Sequence, residues 1–285
     1  MNIHPLAEVS PKAKLGVDVT IGPFAVVEHD TIIGDRCQIF PRSTIKAGVT
    51  LGADNLIGEG AVIGGLPQHL NQPEQPGRVI LGDRNVIREN VTVHRAFATD
   101  TATIIGNECL LMVGAHVAHD CIVGSNVVLT NNALLGGHVT VGDRAYLGGG
   151  VAVHQHCNIG RVVMVGGLAR LVQDVPPFTM VDGESNQIVG LNRVGLRRAG
   201  VTPTQRNEIK DAYHLIYRGG LNFQELLDAL DTTYQDGPAA EFAPFLRAAT
   251  RGYVRERRDP PKSFRLVRED PNSAEPLVEP LKQAS

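Results

Sequence analysis

Aliphatic side chains recur at every sixth residue through the first two thirds of the chain. Counting in sixes from Ile3, 26 of the 29 positions up to Leu171 carry Ile, Leu or Val. The residue two places before most of these positions is small, for example Ala7, Ala13 and Ala25. Because alternate side chains of an extended strand share a face, the large and the small residue point the same way. The pattern predicts short strands, each with one large and one small side chain facing a common interior.

The remaining positions of each hexad carry residues typical of turns, such as Asp35, Asn107 and Asn131. One hexad cannot bury its inward pair alone, so successive coils have to stack on each other. The repeat resembles that of the hexapeptide-repeat acyltransferases, which implies a left-handed parallel β-helix with three hexads, or about 18 residues, per coil. We therefore expect an all-β main domain over residues 1–190, with its handedness taken from the resemblance.

Two segments interrupt this period. The hexad series breaks at His69, Gln75 and Thr99. Residues 66–78, which are rich in Pro and Gln, and residues 95–103 are therefore expected to leave the β-helix as loops. Insertions into a solenoid often gather on its binding face, so both loops are candidates for substrate contact.

After about residue 190 the apolar period becomes helical. One capping box begins at Thr202 and another at Asn222, and a third helix is expected from about residue 239 to 255. We expect a small α-helical C-terminal domain over residues 191–256. Pro and charged residues replace the periodicity over residues 257–285, so this tail is expected to be disordered.

Composition narrows the classes of function. The net charge of −3 gives no reason to expect nucleic acid binding, and no apolar run approaches the roughly 18 residues of a membrane span. All four cysteines lie at small inward positions, where they are expected to be packing residues in a reducing compartment rather than zinc ligands. We therefore expect a cytoplasmic protein without an integral membrane segment.

Five of the ten histidines fall on one predicted edge of the prism, when coils repeat every 18 residues. They are His116, His119, His138, His154 and His156. A neutral imidazole held by a carboxylate can take a proton from a hydroxyl, so His119 beside Asp120 is a candidate general base. Gly137 on the next coil could donate its backbone N–H to an oxyanion without an obstructing side chain. Base, orienting carboxylate and oxyanion donor together indicate acyl transfer.

Several short strings extend this arrangement. They are Gly-Ala-His-Val-Ala-His-Asp-Cys at residues 114–121, Thr-Asn-Asn-Ala at 130–133, Gly-His-Val at 137–139, Ala-Val-His-Gln at 152–155 and Val-Thr-Val-His-Arg at 91–95. In this order they resemble the acyl carrier protein–UDP-N-acetylglucosamine O-acyltransferases, the family that catalyses the first step of lipid A synthesis. The resemblance extends to about residue 256.

The resemblance implies an activity and its partners. The chain would move an (R)-3-hydroxyacyl group from the phosphopantetheine of acyl carrier protein to the 3-hydroxyl of UDP-N-acetylglucosamine. It would need no metal and no cofactor of its own. Members of the family are homotrimers with active sites between neighbouring prisms, so a homotrimer is expected here as well.

The resemblance also implies residue roles. His119 would be the general base, Asp120 would orient it, and Gly137 would donate to the oxyanion. Gly167 lies at the family's acyl-chain ruler, where a glycine leaves room for a comparatively long chain. The implied substrate-binding residues are His69, His94, His116, His138, His154, Gln155, Gly167, Asn192 and Arg198, of which Asn192 and Arg198 would hold the nucleotide.

The chain departs from the family pattern around the expected sugar nucleotide. His69 and Asn71 stand where the family often has Asp and Lys, and Val194 and Ala199 replace a Glu and an Arg. A UDP sugar with a 3-amino group, giving an amide product, is therefore an alternative acceptor. More distant alternatives are a zinc carbonic anhydrase of the γ type, which also carries histidines on a hexapeptide β-helix, and a non-catalytic hexapeptide scaffold.

Overall fold

Stacked coils of short strands make up most of the chain in the computed structural model, which describes residues 1–258. Most of these strands contain only two residues, as one strand per hexad requires. In chain order they are β1 Asn2–Ile3, β2 Glu8–Val9, β3 Lys14–Leu15, β4 Thr20–Ile21, β5 Val26–Val27, β6 Ile32–Ile33, β7 Gln38–Ile39, β8 Thr44–Ile45, β9 Val49–Leu51, β10 Leu56–Ile57, β11 Val62–Gly65, β12 Arg78–Leu81, β13 Val86–Ile87, β14 Thr92–His94, β15 Ala102–Ile105, β16 Leu110–Leu111, β17 His116–Val117, β18 Ile122–Val123, β19 Val128–Leu129, β20 Leu134–Leu135, β21 Thr140–Val141, β22 Tyr146–Leu147, β23 Ala152–Val153, β24 Asn158–Ile159, β25 Met164–Val165, β26 Arg170–Leu171, β27 Thr179–Val181 and β28 Ile188–Leu191.

Three parallel sheets form the faces of a prism. The first sheet contains every third strand from β1 to β25 and ends with β27 and β28, the second runs from β2 to β26, and the third from β3 to β24. Strands in neighbouring coils pair in parallel, as Asn2 does with Thr20, whereas β27 and β28 are antiparallel. This is the left-handed parallel β-helix of hexapeptide repeats: the six-residue period predicts its coils, and the resemblance implies its hand.

Both predicted loops leave the prism at one edge. The first loop, residues 66–77, connects β11 to β12, and the second loop, residues 95–101, connects β14 to β15. In each case the chain passes from the second sheet to the third. The corner that contains His119 and Asp120 joins the same two sheets on the next coil, between β17 and β18. We call this corner of the prism the histidine edge, and the loops therefore adjoin the predicted site.

The interior follows the hexad pattern. Its large side chains, such as Ile45 and Leu129, are fully buried, and all four cysteines are buried and free, as their small inward positions predict. Ile3 departs from the pattern with 38% exposure, because the first coil has no coil beneath it.

From Asp18 onward, most corners turn through a residue with positive φ, and this residue directly precedes the small inward one. Many are the expected Asp or Asn, such as Asp54 and Asn126, but Arg36, Phe24 and Val162 adopt the same conformation. A β-branched residue such as valine rarely adopts positive φ. The coil geometry therefore overrides the residue preference that the sequence pattern uses.

Helices follow the last coil. They are α1 Arg193–Arg198, α2 Pro203–Arg218, α3 Phe223–Thr233 and α4 Phe242–Ala248, with a 3₁₀ turn at Pro238–Glu241. The predicted capping boxes at Thr202 and Asn222 are both present. No helix within residues 1–258 is both long enough and apolar enough to cross a bilayer.

The predicted third helix is shorter than expected. Residues 249–258 return to the β-helix instead, where Tyr253 bridges to Asp174 and Glu256 to Ile188. The boundary at residue 190 remains a prediction, since the strand β28 ends at Leu191. The predicted tail lies almost wholly outside the described residues.

Candidate active site

The histidine edge carries a hydrogen-bonded His–Asp pair. His119 Nδ1 lies 2.8 Å from Asp120 Oδ2, and each side chain is only 12% exposed. Asp120 is the positive-φ residue of this corner, so the two adjacent side chains meet across the turn. The pair that the sequence predicts is therefore formed, and His119 Nε2 is the ring nitrogen left for another partner.

Asp120 receives further hydrogen bonds from the second loop. The Phe97 N–H donates to Asp120 Oδ2 at 3.0 Å, and the Thr101 hydroxyl lies 3.2 Å from Oδ1. Burial alone would raise the pKa of Asp120, but the hydrogen bonds from His119 and Phe97, together with the nearby His138, bring it below its ordinary value. The carboxylate is therefore ionised at neutral pH.

Gly137 lies against the His119 ring from the next coil. A Cβ at this position would lie 2.7 Å from His119 Nε2, so a side chain would occupy the space beside the free nitrogen. Gly137 is buried, and within residues 1–258 its N–H has no hydrogen-bond acceptor. The equivalent corner N–H groups of His119 and Gln155 also have no acceptor within residues 1–258, so the coil geometry leaves this donor unused. This donor is therefore available to a bound ligand.

His138 extends the cluster along the edge. The centre of its ring lies 5.1 Å from that of His119. The ring also stacks on His156, with the two ring centres 4.5 Å apart. Its Nε2 lies 3.8 Å from Asp120 Oδ2. Burial lowers the pKa of His138 more than the charge of Asp120 raises it, so its neutral form is favoured.

A second pair of imidazoles lies on the neighbouring strands. His94 and His116 have ring centres 4.7 Å apart, and Thr92 Oγ1 lies 2.7 Å from His116 Nδ1. His94 Nδ1 is buried and has no hydrogen-bond partner in the part of the chain that the structure describes. Burial, followed by the proximity of His116 and His119, lowers the pKa of His94 to about 4, and burial also lowers that of His116.

The two loops bring His69 to the site. The Arg95 guanidinium donates to the carbonyls of Gly77 and Pro76 at 2.7 Å each, which ties the loops together. The ring of Phe97 lies 5.0 Å from His69 and 6.2 Å from His119. The sequence-predicted His69 therefore lies near the His–Asp pair, although the two ring centres are 6.4 Å apart.

Three further predicted positions lie higher on the prism. His154 and Gln155 are exposed at the corner after β23, where His154 Nδ1 lies 3.1 Å from the Gln155 carbonyl. Gly167 is exposed after β25, and a Cβ there would meet only the Gly149 backbone, at 3.2 Å. The surface beside Gly167 is therefore open, as a long acyl chain would require.

The two predicted nucleotide ligands lie in the helical region. The Asn192 side chain accepts a hydrogen bond from Gly195 N–H and donates to the Val162 carbonyl, so it caps α1. Arg198 is exposed in the last turn of that helix. No hydrogen bond or ring contact within residues 1–258 joins either residue to His119, and their nucleotide role stays a prediction.

The cluster has three potential metal ligands. Ligand atoms of His119, Asp120 and His138 lie within 4.8 Å of one another. However, His119 Nδ1 and Asp120 Oδ2 are already hydrogen-bonded to each other, whereas zinc ligands would bind the ion and not each other. The arrangement fits a base with its orienting carboxylate better than a zinc triad.

Sequence reasoning missed the residues that support the pair. Phe97, Thr101 and Thr103 contact His119 or Asp120, but none occurs in a spacing that marks it. A signal for Thr103 existed, because it is a polar residue at a small inward position that usually carries Ala, Val or Cys.

Comparison with known proteins gives matches over most of the chain. Residues 174–254 match the family model described as UDP-N-acetylglucosamine O-acyltransferase, domain 2, and residues 30–65 and 102–137 match the bacterial transferase hexapeptide model. An acyl-(acyl-carrier-protein)–UDP-N-acetylglucosamine O-acyltransferase of Vibrio campbellii is 42% identical over 255 residues, covering 89% of this chain and 97% of the relative.

Solved structures agree with these matches. The UDP-N-acetylglucosamine O-acyltransferase of Moraxella catarrhalis superposes with a TM-score of 0.86 at 36% identity, covering 90% of this chain and 100% of that one. A UDP-N-acetylglucosamine acyltransferase of Bacteroides fragilis gives 0.84 at 36% identity, covering 88% and 99%. The similarity thus includes both the β-helix and the helices that follow it.

Proposed function

The chain belongs to the UDP-N-acetylglucosamine O-acyltransferase family, and from this premise we propose that His119, Asp120 and Gly137 carry its chemistry. It is an acyltransferase that moves an (R)-3-hydroxyacyl group to the 3-hydroxyl of UDP-N-acetylglucosamine, the first step of lipid A synthesis. One observation carries the residue assignment: His119 Nε2 faces the space beside Gly137, whose N–H has no acceptor among the described residues 1–258.

In the proposed reaction His119 acts as a general base. Asp120 keeps the proton on Nδ1, so Nε2 takes the proton of the sugar 3-hydroxyl while the sugar oxygen bonds to the thioester carbonyl carbon. The carbonyl oxygen becomes an oxyanion, and the Gly137 N–H donates to it. When the intermediate collapses, the carbon–sulfur bond breaks and the leaving thiolate takes the proton from His119.

This scheme needs no acyl–enzyme intermediate. Cys121 is the nearest thiol in sequence, but it is fully buried, and burial raises its pKa to about 12. A thiol acts as a nucleophile in its ionised form, which burial suppresses here. The sugar hydroxyl is therefore the direct acceptor.

The acyl donor in this proposal is a thioester on the phosphopantetheine of acyl carrier protein, and the enzyme contributes no cofactor of its own. A cavity of about 540 Å³ between α1, α2 and β28 has several basic side chains in its wall. They are Arg193, Arg197, Arg206, Lys210 and Arg218. Basic residues beside an opening would attract an acidic carrier protein by charge complementarity.

We further propose that the enzyme works as a homotrimer. Ile80, Ile104 and Ile122 are neighbours in the third sheet and are 37–49% exposed, forming an apolar row next to the histidine edge. His138 and His154 are also exposed there, whereas efficient proton transfer requires a site that excludes water. A second prism against this face would cover both features.

Two experiments test the proposal. His119→Ala should abolish turnover, and full activity in this variant would refute the assignment of the base. Mass spectrometry of products from UDP-N-acetylglucosamine and its 3-amino analogue, with acyl carrier protein thioesters of several lengths, identifies the acceptor. An ester on the natural sugar is the expected product, whereas exclusive amide formation would favour the amino sugar.

A further inference from the structure

The N–H of Asp120 has an unusual acceptor for its place on the histidine edge. On the two coils that follow, the corner N–H groups donate to backbone carbonyls, from His138 to His119 and from His156 to Gly137, both at 3.0 Å. The Asp120 N–H instead donates to the side-chain Oγ1 of Thr103, at 2.9 Å.

The second loop explains this change. A corner N–H in this stack normally bonds to the carbonyl of the preceding coil, but residues 95–101 leave the prism at that place. The backbone resumes its strand only at Ala102, in β15. The Thr103 hydroxyl therefore takes the position of the missing carbonyl beneath Asp120.

Packing alone does not require a threonine at this position. Thr103 is 0% exposed and occupies the small inward position of its hexad. On other coils of the same edge this position holds Val49, Val79 and Val139, all fully buried. Burying a hydroxyl is unfavourable unless it forms a hydrogen bond, and valine has nearly the same shape. Valine would fill the space equally well but could not accept the hydrogen bond from the Asp120 N–H. This hydrogen bond is therefore what distinguishes Thr103 from valine.

We propose that Thr103 is a positioning residue for the transfer reaction: its hydroxyl holds the Asp120 backbone so that the carboxylate stays against His119 Nδ1. The inference rests on the proposed roles of His119 and Asp120. Thr103 acts from beneath the corner, through Asp120, and is not itself a catalytic residue.

The second loop supports the same carboxylate from outside. The Phe97 N–H donates to Asp120 Oδ2, whereas the Thr101 hydroxyl is shared between Asp120 Oδ1 at 3.2 Å and the Ala98 carbonyl at 2.8 Å. Because one hydroxyl proton cannot fully serve both acceptors, Thr101 contributes less than Thr103. Substitution of Thr101 by valine should therefore have the smaller effect.

The test compares Thr103→Val with a matched control. Thr31 occupies the equivalent inward position on a distant coil of the same edge, is 1% exposed and donates to the Glu28 carbonyl. Thr103→Val should lower kcat roughly tenfold, a part of the 10²–10⁴ that a general base contributes, with KM nearly unchanged. Thr31→Val should leave kcat unchanged, and Thr103→Ser should restore it.

Two further readouts separate positioning from a loss of stability. In Thr103→Val the acid limb of the kcat/KM pH profile should move to lower pH, because a displaced carboxylate stabilises the protonated imidazole less. The proton resonance of His119 Nδ1–H should also broaden or move upfield. The ionisable groups around the His119 ring are His69, His94, His116, Asp120 and His138.

The outcomes are distinct. Wild-type kcat and pH profile in Thr103→Val, with His119→Ala inactive, would overturn the role of Thr103 and leave the proposed function intact. Activity in His119→Ala would overturn the proposed function itself. An equal loss in Thr31→Val would show a general packing effect and also refute the inference. If Thr103→Val fails to fold, Thr103→Ala compared with Thr103→Ser decides, since equal activity of these two contradicts the role of the hydroxyl.

Discussion

The Gly137 backbone and the His119 ring are too close for any side chain to fit between them. A Cβ on Gly137 would lie 2.6 Å from His119 Cε1 and 2.7 Å from Nε2, well inside the distance at which carbon atoms normally contact. A residue other than glycine would therefore displace the imidazole or fill the space beside its free nitrogen.

Gly137→Ala keeps the backbone N–H, but its Cβ would displace the His119 ring or block the approach of the oxyanion to that donor. We therefore expect kcat to fall by about 10²–10³-fold, as when one oxyanion donor is lost, while the protein remains folded. Gly149→Ala is the matched control, because a Cβ there would meet its nearest neighbour, the Asn131 carbonyl, at an ordinary 3.6 Å. Since Gly149 adjoins the proposed acyl surface at Gly167, both variants are assayed with a short acyl donor. Steady-state kinetics and thermal melting of both variants check the prediction. Near-normal kcat in Gly137→Ala would contradict the proposed geometry.

Asp120→Asn tests the orienting carboxylate. The pKa of Asp120 is held below its ordinary value by hydrogen bonds that outweigh its burial, so the wild-type side chain is charged at neutral pH. The amide removes this charge, and kcat should fall by roughly 10²–10⁴-fold. The acid limb of kcat/KM should move to lower pH, because the protonated His119 ring loses its counter-ion. An unchanged pH profile would count against an ionised partner.

The six-residue period was sufficient to predict stacked coils of short strands, because each hexad has to bury one large and one small side chain. The three-sided, left-handed form was implied by the family resemblance. The same count correctly placed Cys121 inside and His119 at a corner. Adjacency alone did not secure the contact between His119 and Asp120. His29 and Asp30 occupy the equivalent corner of an earlier coil, where Asp30 pairs with Arg78 instead.

The support of this pair was not predictable in the same way. Phe97 and Thr101 reach Asp120 through a loop, and loop conformation depends on particular contacts, such as those of Arg95 with the first loop, rather than on a period. The positive φ of Val162 was not predictable for another reason. The unfavourable backbone conformation is offset by packing of the Val162 side chain against the helices, which include Leu196.

Gly167→Met tests the proposed acyl-chain position. A Cβ at position 167 would lie 3.2 Å from the Gly149 carbonyl oxygen, so the neighbouring coil has to shift slightly to admit it. A longer side chain on the exposed surface would then cover the space of several methylenes. Since a buried methylene contributes about 0.8 kcal/mol, each pair of excluded methylenes should lower kcat/KM roughly tenfold for long donors. Kinetics with acyl carrier proteins that bear 3-hydroxyacyl chains of graded length measure this change in chain-length preference. Thr20→Met, on an exposed strand of the same sheet, should leave the length preference unchanged.

His94 makes the stability of the protein depend on pH. Its folded pKa of about 4 lies below its ordinary value, so the unfolded chain binds a proton that the folded chain excludes. Stability should therefore fall as pH is lowered from about 6.5 to 4, by up to about 3 kcal/mol. His94→Gln should lose less stability than wild type between pH 7 and pH 4.5, as measured by urea unfolding. His29→Gln, at an exposed position, should behave as wild type. If the stability of His94→Gln falls with pH in parallel with that of the wild type, the prediction is refuted.

Asn55 stabilises the prism from within. Its side-chain amide donates to the carbonyls of Gly52 and Gly82, both at 2.9 Å, and its oxygen accepts from the Asn85 N–H at 2.9 Å. Asn55→Ala removes three hydrogen bonds, one from the buried Asn85 N–H and two to the half-buried Gly52 and Gly82 carbonyls. Loss of the acceptor of the buried N–H costs about 1–3 kcal/mol, and loss of each of the other two bonds about 0.5–1.5 kcal/mol. The free energy of unfolding should therefore drop by about 3–5 kcal/mol.

Calorimetry measures this loss. All variants are compared at one fixed protein concentration, so that any contribution from subunit association is the same for each. Gln38→Ala is the matched control, because Gln38 is exposed on β7, in the coil that directly precedes Asn55, and its loss should stay within about 0.5 kcal/mol. Asn55→Leu separates a lost hydrogen bond from an empty space, since it fills the space but removes the same three hydrogen bonds. If both Asn55 variants melt at the same temperature as Gln38→Ala, the internal hydrogen bonds contribute little to stability. The stacked aliphatic residues alone then hold the coils together.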